Sequence, residues 1–160
     1  MDKDQAFKNL IHLVQLDIDA VHAYDQAIKN IDVPAIKDQL LKFRDDHKRH
    51  VDELSPEITA LGGTPPEFSK DFKGYLISGF TSLRSSTGTE GALKAMHSNE
   101  KMTNKNYDEA MTWSLPESAK AIVTKGFNDE RIHIDYIART LDKRTWEGME
   151  NTSSSSTLNP

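Results

Sequence analysis

The sequence predicts an all-α protein that folds as a four-helix bundle with one long crossover. Apolar residues recur at the helical spacing of three and four in four long segments, and no segment alternates as a half-buried strand does. Two of these segments precede a connection of about 25 residues and two follow it, which is the outline of such a bundle. The 160 residues are enough for one domain with its own core.

The first two helices are bounded by clear start and stop signals. The first is predicted from about residue 4 to residue 30, and Pro34 marks the first turn of the second. The apolar stripe of the second helix continues to Leu61. Gly62 and Gly63 follow, and then two prolines, which cannot continue a helix. The second helix is therefore predicted to stop near Leu61.

The second half of the chain repeats this plan after an irregular connection. Aromatic and apolar residues between Phe68 and Leu83 predict a short extra helix in the crossover, which we expect to cover the bundle or to meet a partner. The third helix follows Gly88, and the fourth begins after Leu115-Pro116. Residues 1–146 are predicted to form the bundle, and the serine-rich residues 147–160 a disordered tail.

Composition excludes several classes of function. The chain has 20 basic and 25 acidic residues and a net charge of −5, so no basic face favours nucleic acid or an anionic membrane. Neither a secretion signal nor an apolar run of membrane-spanning length is found, which predicts a cytoplasmic protein. The chain has no cysteine, so any metal ligands must be nitrogen or oxygen atoms.

Ionisable side chains lie at the centre of all four apolar stripes. Burying such a group is costly unless it is paired or holds a metal, and here that cost would recur in four helices at similar depth. Residues three positions apart share a helix face, so a pair of them can point at one atom. Imidazole and carboxylate together suit transition metals such as iron and zinc. The predicted metal ligands are Asp17, His47, His50, Glu100, Glu130 and His133.

These residues resemble the ferritin-like superfamily, in particular its rubrerythrin-like members. In that superfamily one glutamate from each of two helices, and a Glu-x-x-His from each of the other two, hold a di-metal centre. Over residues 5–145, Asp17 and Glu100 match the single acids, and Glu130 with His133 matches one motif. The stretch from residue 74 to residue 116 is most similar to an uncharacterised bacterial ferritin-like group without an assigned activity. The resemblance implies a ferritin-like bundle with a metal centre.

One position departs from the superfamily pattern. His47 stands where the second Glu-x-x-His motif has its glutamate, and a neutral histidine cannot bridge two metals as a carboxylate does. This favours zinc or a single iron over a storage-type di-iron centre. His97 lies three residues before Glu100 and is a candidate for a further nitrogen ligand. Its offset from Glu100 towards a neighbouring helix face favours the alternative, that it lies outside the ligand set.

Two functional hypotheses follow. The leading one is a soluble protein that binds one or two transition-metal ions, iron or zinc. Iron would imply oxidation of Fe(II) or reduction of oxygen or peroxide, and zinc a structural or hydrolytic role. The alternative is a metal-free stress-related or interaction bundle, whose buried Asp–His–Glu network is satisfied by hydrogen bonds. A homodimer is compatible with either hypothesis, and a storage cage is the least favoured assembly.

Overall fold

The computed structural model of the chain describes residues 2–68 and 88–154. The extra helix predicted in the crossover lies outside these residues. The described helices are α1 (Lys3–Lys29), α2 (Pro34–Ala60), α3 (Gly88–Ala110), α4 (Glu117–Lys143) and α5 (Thr145–Ser154). The described residues contain no strand, which confirms the all-α prediction.

The four long helices pack as a bundle. α1 packs mainly against α2, and α3 against α4, while contacts of α1 with α3 and of α2 with α4 close the other two sides. Among the described residues, no helix combines the length and the apolar character that crossing a membrane requires.

Local signals explain where the first two helices start and stop. The Asp2 side chain caps α1 by accepting a hydrogen bond from the backbone N–H of Gln5 at 2.9 Å. After α2, Gly62 adopts φ +92°, and the N–H of Gly63 bonds to the carbonyl of Ile58 at 2.9 Å. The predicted stop of the second helix at Leu61 is confirmed.

The core consists of two apolar clusters with a polar layer between them. One cluster contains Phe43 and Ile137, and the other contains Leu54 and Val123. Along α2, α3 and α4 the predicted ligands lie between these clusters, and along α1 Asp17 lies beside Ile18 at the edge of the second cluster. Apolar side chains therefore close both ends of this polar layer.

The C-terminal helix α5 extends into the segment for which the sequence predicts disorder. Trp146 is 4% exposed within the first apolar cluster, and the Arg144 guanidinium lies over its ring at 5.0 Å. Arg144 also forms an ion pair with Glu147 at 2.6 Å. Trp146, which lies within the residues predicted to form the bundle, and the Arg144–Glu147 ion pair attach the first turn of α5 to the bundle.

Candidate metal centre

The structure brings all six predicted ligands together in the buried polar layer. Each of them is at most 1% exposed. Their ligand atoms form two overlapping groups, and within each group the atoms lie within 4.8 Å of one another. One group comprises Asp17, His47, His50 and Glu130, and the other comprises His47, Glu100, Glu130 and His133. The centre therefore consists of two adjacent subsites that share His47 and Glu130.

Glu130 faces both subsites with different oxygen atoms. Its Oε1 lies 3.4 Å from Nδ1 of His47 and 3.6 Å from Nδ1 of His50. Its Oε2 lies 3.9 Å from Nδ1 of His133. The three-residue spacing between Glu130 and His133 puts both on the inner face of α4, as the sequence predicts. The Glu130 carboxylate is therefore placed so that it could contribute one oxygen to each subsite.

Neither oxygen of Glu130 has a hydrogen-bond donor among the described residues, although the group is fully buried. Nδ1 of His133 is likewise buried without a partner. Burial raises the pKa of Glu130 to about 7, and the nearby Glu100 charge acts in the same direction against the opposing His47 charge. Buried polar atoms without partners are rare in proteins, so these three atoms are candidate positions for contact with an ion or a water.

Asp17, in contrast, is fully hydrogen-bonded. The Tyr107 hydroxyl donates to its Oδ2 at 2.7 Å, and Nδ1 of His47 and Nδ1 of His50 lie 2.8 and 3.1 Å from its Oδ1. Burial disfavours the charged carboxylate, but the His50 charge and the imidazole hydrogen bonds outweigh it and lower the pKa of Asp17. Asp17 is therefore an ionised carboxylate at neutral pH.

Glu100 is held in a similar way. The Tyr24 hydroxyl donates to its Oε1, and the Thr103 hydroxyl donates to its Oε2 at 3.1 Å. Burial acts against ionisation, but the imidazoles of His133 and His47 outweigh it, so the pKa of Glu100 lies well below its usual value. The two tyrosines, each seven residues after a single acid, thus hold matching carboxylates on α1 and α3.

His50 and His133 are oriented by carboxylates on their outer side. Nε2 of His50 lies 3.0 Å from Oδ2 of Asp129, and Nε2 of His133 lies 2.9 Å from Oδ2 of Asp46. An ionised carboxylate only accepts, so each Nε2 is the donor and each Nδ1 faces the centre. Burial lowers the pKa of both histidines, but their carboxylate partners outweigh it and raise each pKa to about 9. Metal-ligating histidines commonly have this carboxylate support.

His47 lies between the subsites with both ring nitrogens near carboxylates. Its Nδ1 is 2.8 Å from Asp17, and its Nε2 is 3.4 Å from Glu100. Burial opposes protonation, yet Glu130 and these two acids raise the pKa of His47 well above its usual value. This shift favours the imidazolium form of His47, whose charge opposes the surrounding negative charge.

An outer layer of charged residues surrounds the centre and was not predicted from the sequence. Asp46 and Asp129, the partners of the two histidines, have side chains that are 27% and 20% exposed, and the sequence places Asp46 in a run typical of a solvated face. Arg49 donates to Asp46 at 2.8 Å and also to Asp129. The missed signal is an aspartate four residues before a histidine on both α2 and α4.

Two polar side chains near the centre, those of His97 and Asn104, lie outside the ligand groups. His97 is half-buried and belongs to neither ligand group. The Asn104 amide donates to the backbone carbonyls of Glu100 and Glu130, each at 2.9 Å, so it fixes the register of α3 against α4 at the level of the centre.

Comparison with known proteins identifies the family but not an activity. A family model described as Domain of unknown function (DUF2383) matches residues 5–112, which is about two thirds of the chain. The match contains four of the six predicted ligands and ends before Glu130 and His133. No curated protein matches the chain. The chain belongs to this domain family of unknown function.

Proposed function

We propose that this protein is a ferritin-like bundle that binds one or two transition-metal ions, iron or zinc, at its centre. The proposed ligands are the six buried residues on α1 to α4 that form the two overlapping groups. The observation that carries the proposal is the buried Glu130 carboxylate, both of whose oxygens lack a donor. A cation shared between the two subsites, or one in either, would give this carboxylate its missing partner.

The metal-free alternative accounts for less of the structure. A self-sufficient Asp–His–Glu network would satisfy every buried group with hydrogen bonds. Asp17 and Glu100 meet that condition, but Glu130 and Nδ1 of His133 do not. The unsatisfied atoms belong to the Glu-x-x-His pair, whose Glu130 Oε2 and His133 Nδ1 lie 3.9 Å apart across one subsite. This geometry favours an ion over an empty polar core.

The donor set favours metals that take nitrogen and oxygen ligands. One subsite offers Asp17 and His50, the other offers Glu100 and His133, and Glu130 lies between them. His47 supplies one imidazole lone pair once it loses its proton, so it can ligate one ion but cannot add a second carboxylate bridge. Mixed imidazole and carboxylate ligation suits iron and zinc, and less well calcium or magnesium.

The bound metal would decide the chemistry of the site. Iron would supply one-electron redox chemistry for the oxidation of Fe(II) or the reduction of oxygen or peroxide, and zinc would supply a Lewis acid or a structural link. The contribution of the chain is to hold the ligands in place. Tyr24 and Tyr107 fix the two carboxylates on α3 and α1, and the outer aspartates orient His133 and His50.

Calorimetric titration of chelator-treated, untagged protein with Zn(II), Mn(II) and, without oxygen, Fe(II) tests the proposal. We expect saturation at one or two equivalents for at least one metal, and an end point of two would establish that both subsites fill. The variant His133→Ala should lose at least one equivalent or most of the affinity. His12→Ala is the matched control, because His12 is exposed on α1 and should bind as the wild type does.

Absence of binding in the wild type would contradict the proposal and favour the metal-free alternative. Equal binding by His133→Ala and wild type would place the ions elsewhere and contradict the assignment of ligands. An independent check is the melting temperature, which bound metal should raise and a chelator should lower.

A further inference from the structure

The ligands are enclosed, so an ion needs a defined route to reach them. All six are at most 1% exposed. Tyr24, Tyr107 and Thr103, which contact the carboxylates on α1 and α3, are at most 2% exposed. Among the described residues, these buried side chains separate the ligands from solvent next to α1 and α3.

The seam between α2 and α4 is different, because polar groups lead from solvent to the ligands. Asp46 and Asp129 are partly exposed, and each is hydrogen-bonded to a histidine whose other ring nitrogen faces the centre. The order from solvent inwards is carboxylate, imidazole and inner carboxylate. This seam offers an incoming cation successive oxygen and nitrogen atoms.

Arg49 lies across this seam. Its guanidinium donates to Asp46 from Nη1 at 2.8 Å and to Asp129 from Nη2, so one side chain of α2 joins both outer carboxylates. The Arg49 side chain is 35% exposed, so its outer part reaches solvent. The guanidinium charge opposes the approach of a second cation to these two carboxylates, because like charges repel. Both oxygens of Asp46 and Oδ2 of Asp129 also already accept hydrogen bonds.

Arg49 also has a third acidic neighbour, to which it can turn. Its Nε lies 3.8 Å from Oε1 of Glu53 and makes no hydrogen bond. Glu53 is one helical turn further along α2, away from the two aspartates, and its Oε1 also lies 3.3 Å from Nζ of Lys125. Rotation towards Glu53 would free Asp46 and Asp129 while the guanidinium stays paired.

We propose that metal ions enter and leave the centre through the α2–α4 seam and that Arg49 gates this passage by releasing Asp46 and Asp129. The inference rests on the proposed metal-binding function and specifies how that site is controlled. The gate slows exchange in both directions and has little effect on the affinity, since it acts on the route and not on the ligands.

Stopped-flow mixing of chelator-treated full-length protein with Co(II), followed by visible absorption, tests the gate. Release is measured by mixing the Co(II) protein with excess EDTA. We expect Arg49→Gln to raise both the association and the release rate at least about tenfold, because the variant loses the two charge-assisted hydrogen bonds to Asp46 on α2 and to Asp129 on α4. The dissociation constant should change less than about threefold, since both rates rise together.

The direction of the release rate separates a gate from a simple charge effect. Loss of a positive charge alone would speed association and slow release, because the remaining negative potential holds a cation more strongly. The matched control is Arg139→Gln, which removes the same charge from an exposed pair with Asp135 on α4. We expect its rates to equal those of the wild type.

A release rate in Arg49→Gln that is equal to or slower than the wild-type rate overturns the gate but leaves the metal site standing. A wild type that binds no Co(II) refutes the proposed function, and the gate with it, so the two failures are distinguishable. If circular dichroism shows that Arg49→Gln is unfolded, Arg49→Lys takes its place. Its single ammonium cannot hold both carboxylates in the same way, so its rates should also exceed those of the wild type.

Discussion

The substitution Glu130→Gln should stabilise the metal-free protein and abolish most of its metal binding. Glu130 is buried without a donor, and its pKa is raised from 4.5 to about 7. A folded-state pKa above the unfolded value means that the stability present below pH 4.5 is lost as the pH rises through 7. Glutamine has nearly the same shape but cannot ionise, so it avoids this loss.

The size of the effect follows from the shift. One pKa unit corresponds to about 1.4 kcal/mol, so the raised pKa of Glu130 costs the metal-free fold about 3 kcal/mol at pH 8. At pH 5 the cost is about 1 kcal/mol, because there only the carboxyl of the unfolded chain is largely ionised. We expect Glu130→Gln to be about 3 kcal/mol more stable than the wild type at pH 8, and only about 1 kcal/mol more stable at pH 5. Urea denaturation of the chelator-treated proteins at pH 5 and pH 8 measures this difference in the free energy of unfolding. The m values of variant and wild type should be equal, which shows that the two free energies can be compared.

Glu100→Gln is the matched control, because the same chemical change should have the opposite sign. Glu100 accepts hydrogen bonds from Tyr24 and Thr103, and its pKa lies well below the usual value, so its charge stabilises the metal-free fold. Both variants should bind Zn(II) weakly. A Glu130→Gln protein that is less stable than the wild type at pH 8, or that binds Zn(II) as tightly, would refute the reasoning.

Three further predictions concern packing, ligand support and pH. Gly126→Ala should lower the free energy of unfolding by about 1 to 2 kcal/mol in urea, because the new Cβ would lie 2.5 Å from Cε1 of Tyr107 and the better helix propensity offsets only part of the strain. Asp129→Asn should weaken Zn(II) binding about 10- to 100-fold in a chelator competition, since the imidazole of His50 loses its carboxylate acceptor. The stability of the metal-free protein should fall from about pH 6.5 to pH 9, because His50 and His133, whose pKa values are raised to about 9, lose their protons over that range. Thermal shifts with and without Zn(II) should diverge over the same range, because the metal requires deprotonated imidazoles.

Each of these predictions has its own control or refuting result. Gly148→Ala should be nearly neutral, since a Cβ there meets nothing within 4 Å, and a neutral Gly126→Ala would contradict the packing argument. Asp45→Asn should retain full Zn(II) affinity, because that side chain is 62% exposed, and equal affinities for Asp129→Asn and Asp45→Asn would remove the supporting role. A Zn(II)-induced shift that is the same at pH 6.5 and 9 would exclude imidazole ligation.

The bundle and its buried polar layer could be predicted because both depend on local spacing. The three- and four-residue recurrence of apolar residues gives the four long helices, and residues three apart, such as Glu130 and His133, share a face wherever a helix forms. The stop after Leu61 followed from glycine chemistry alone. In these cases the sequence neighbours determine the geometry.

The outer layer could not be predicted from the same spacing. Asp46 and Asp129 are charged, and their partners lie across the bundle on another helix, so only the packing of α2 against α4 shows what they contact. The role of Arg49 in joining these two carboxylates could not be predicted for the same reason, since Arg49 lies in a run of charged residues that is typical of a solvated helix face. That Glu130 has no hydrogen-bond donor among the described residues likewise becomes visible only when all four helices are packed together.

Elemental analysis of the untagged protein, purified without added metal, tests the central claim most directly. We predict near-stoichiometric iron or zinc in the wild type and its loss in His133→Ala, with circular dichroism showing that both proteins are folded. If the wild type contains no metal, and takes up none after incubation with Fe(II), Zn(II) and Mn(II), the account of this centre is contradicted.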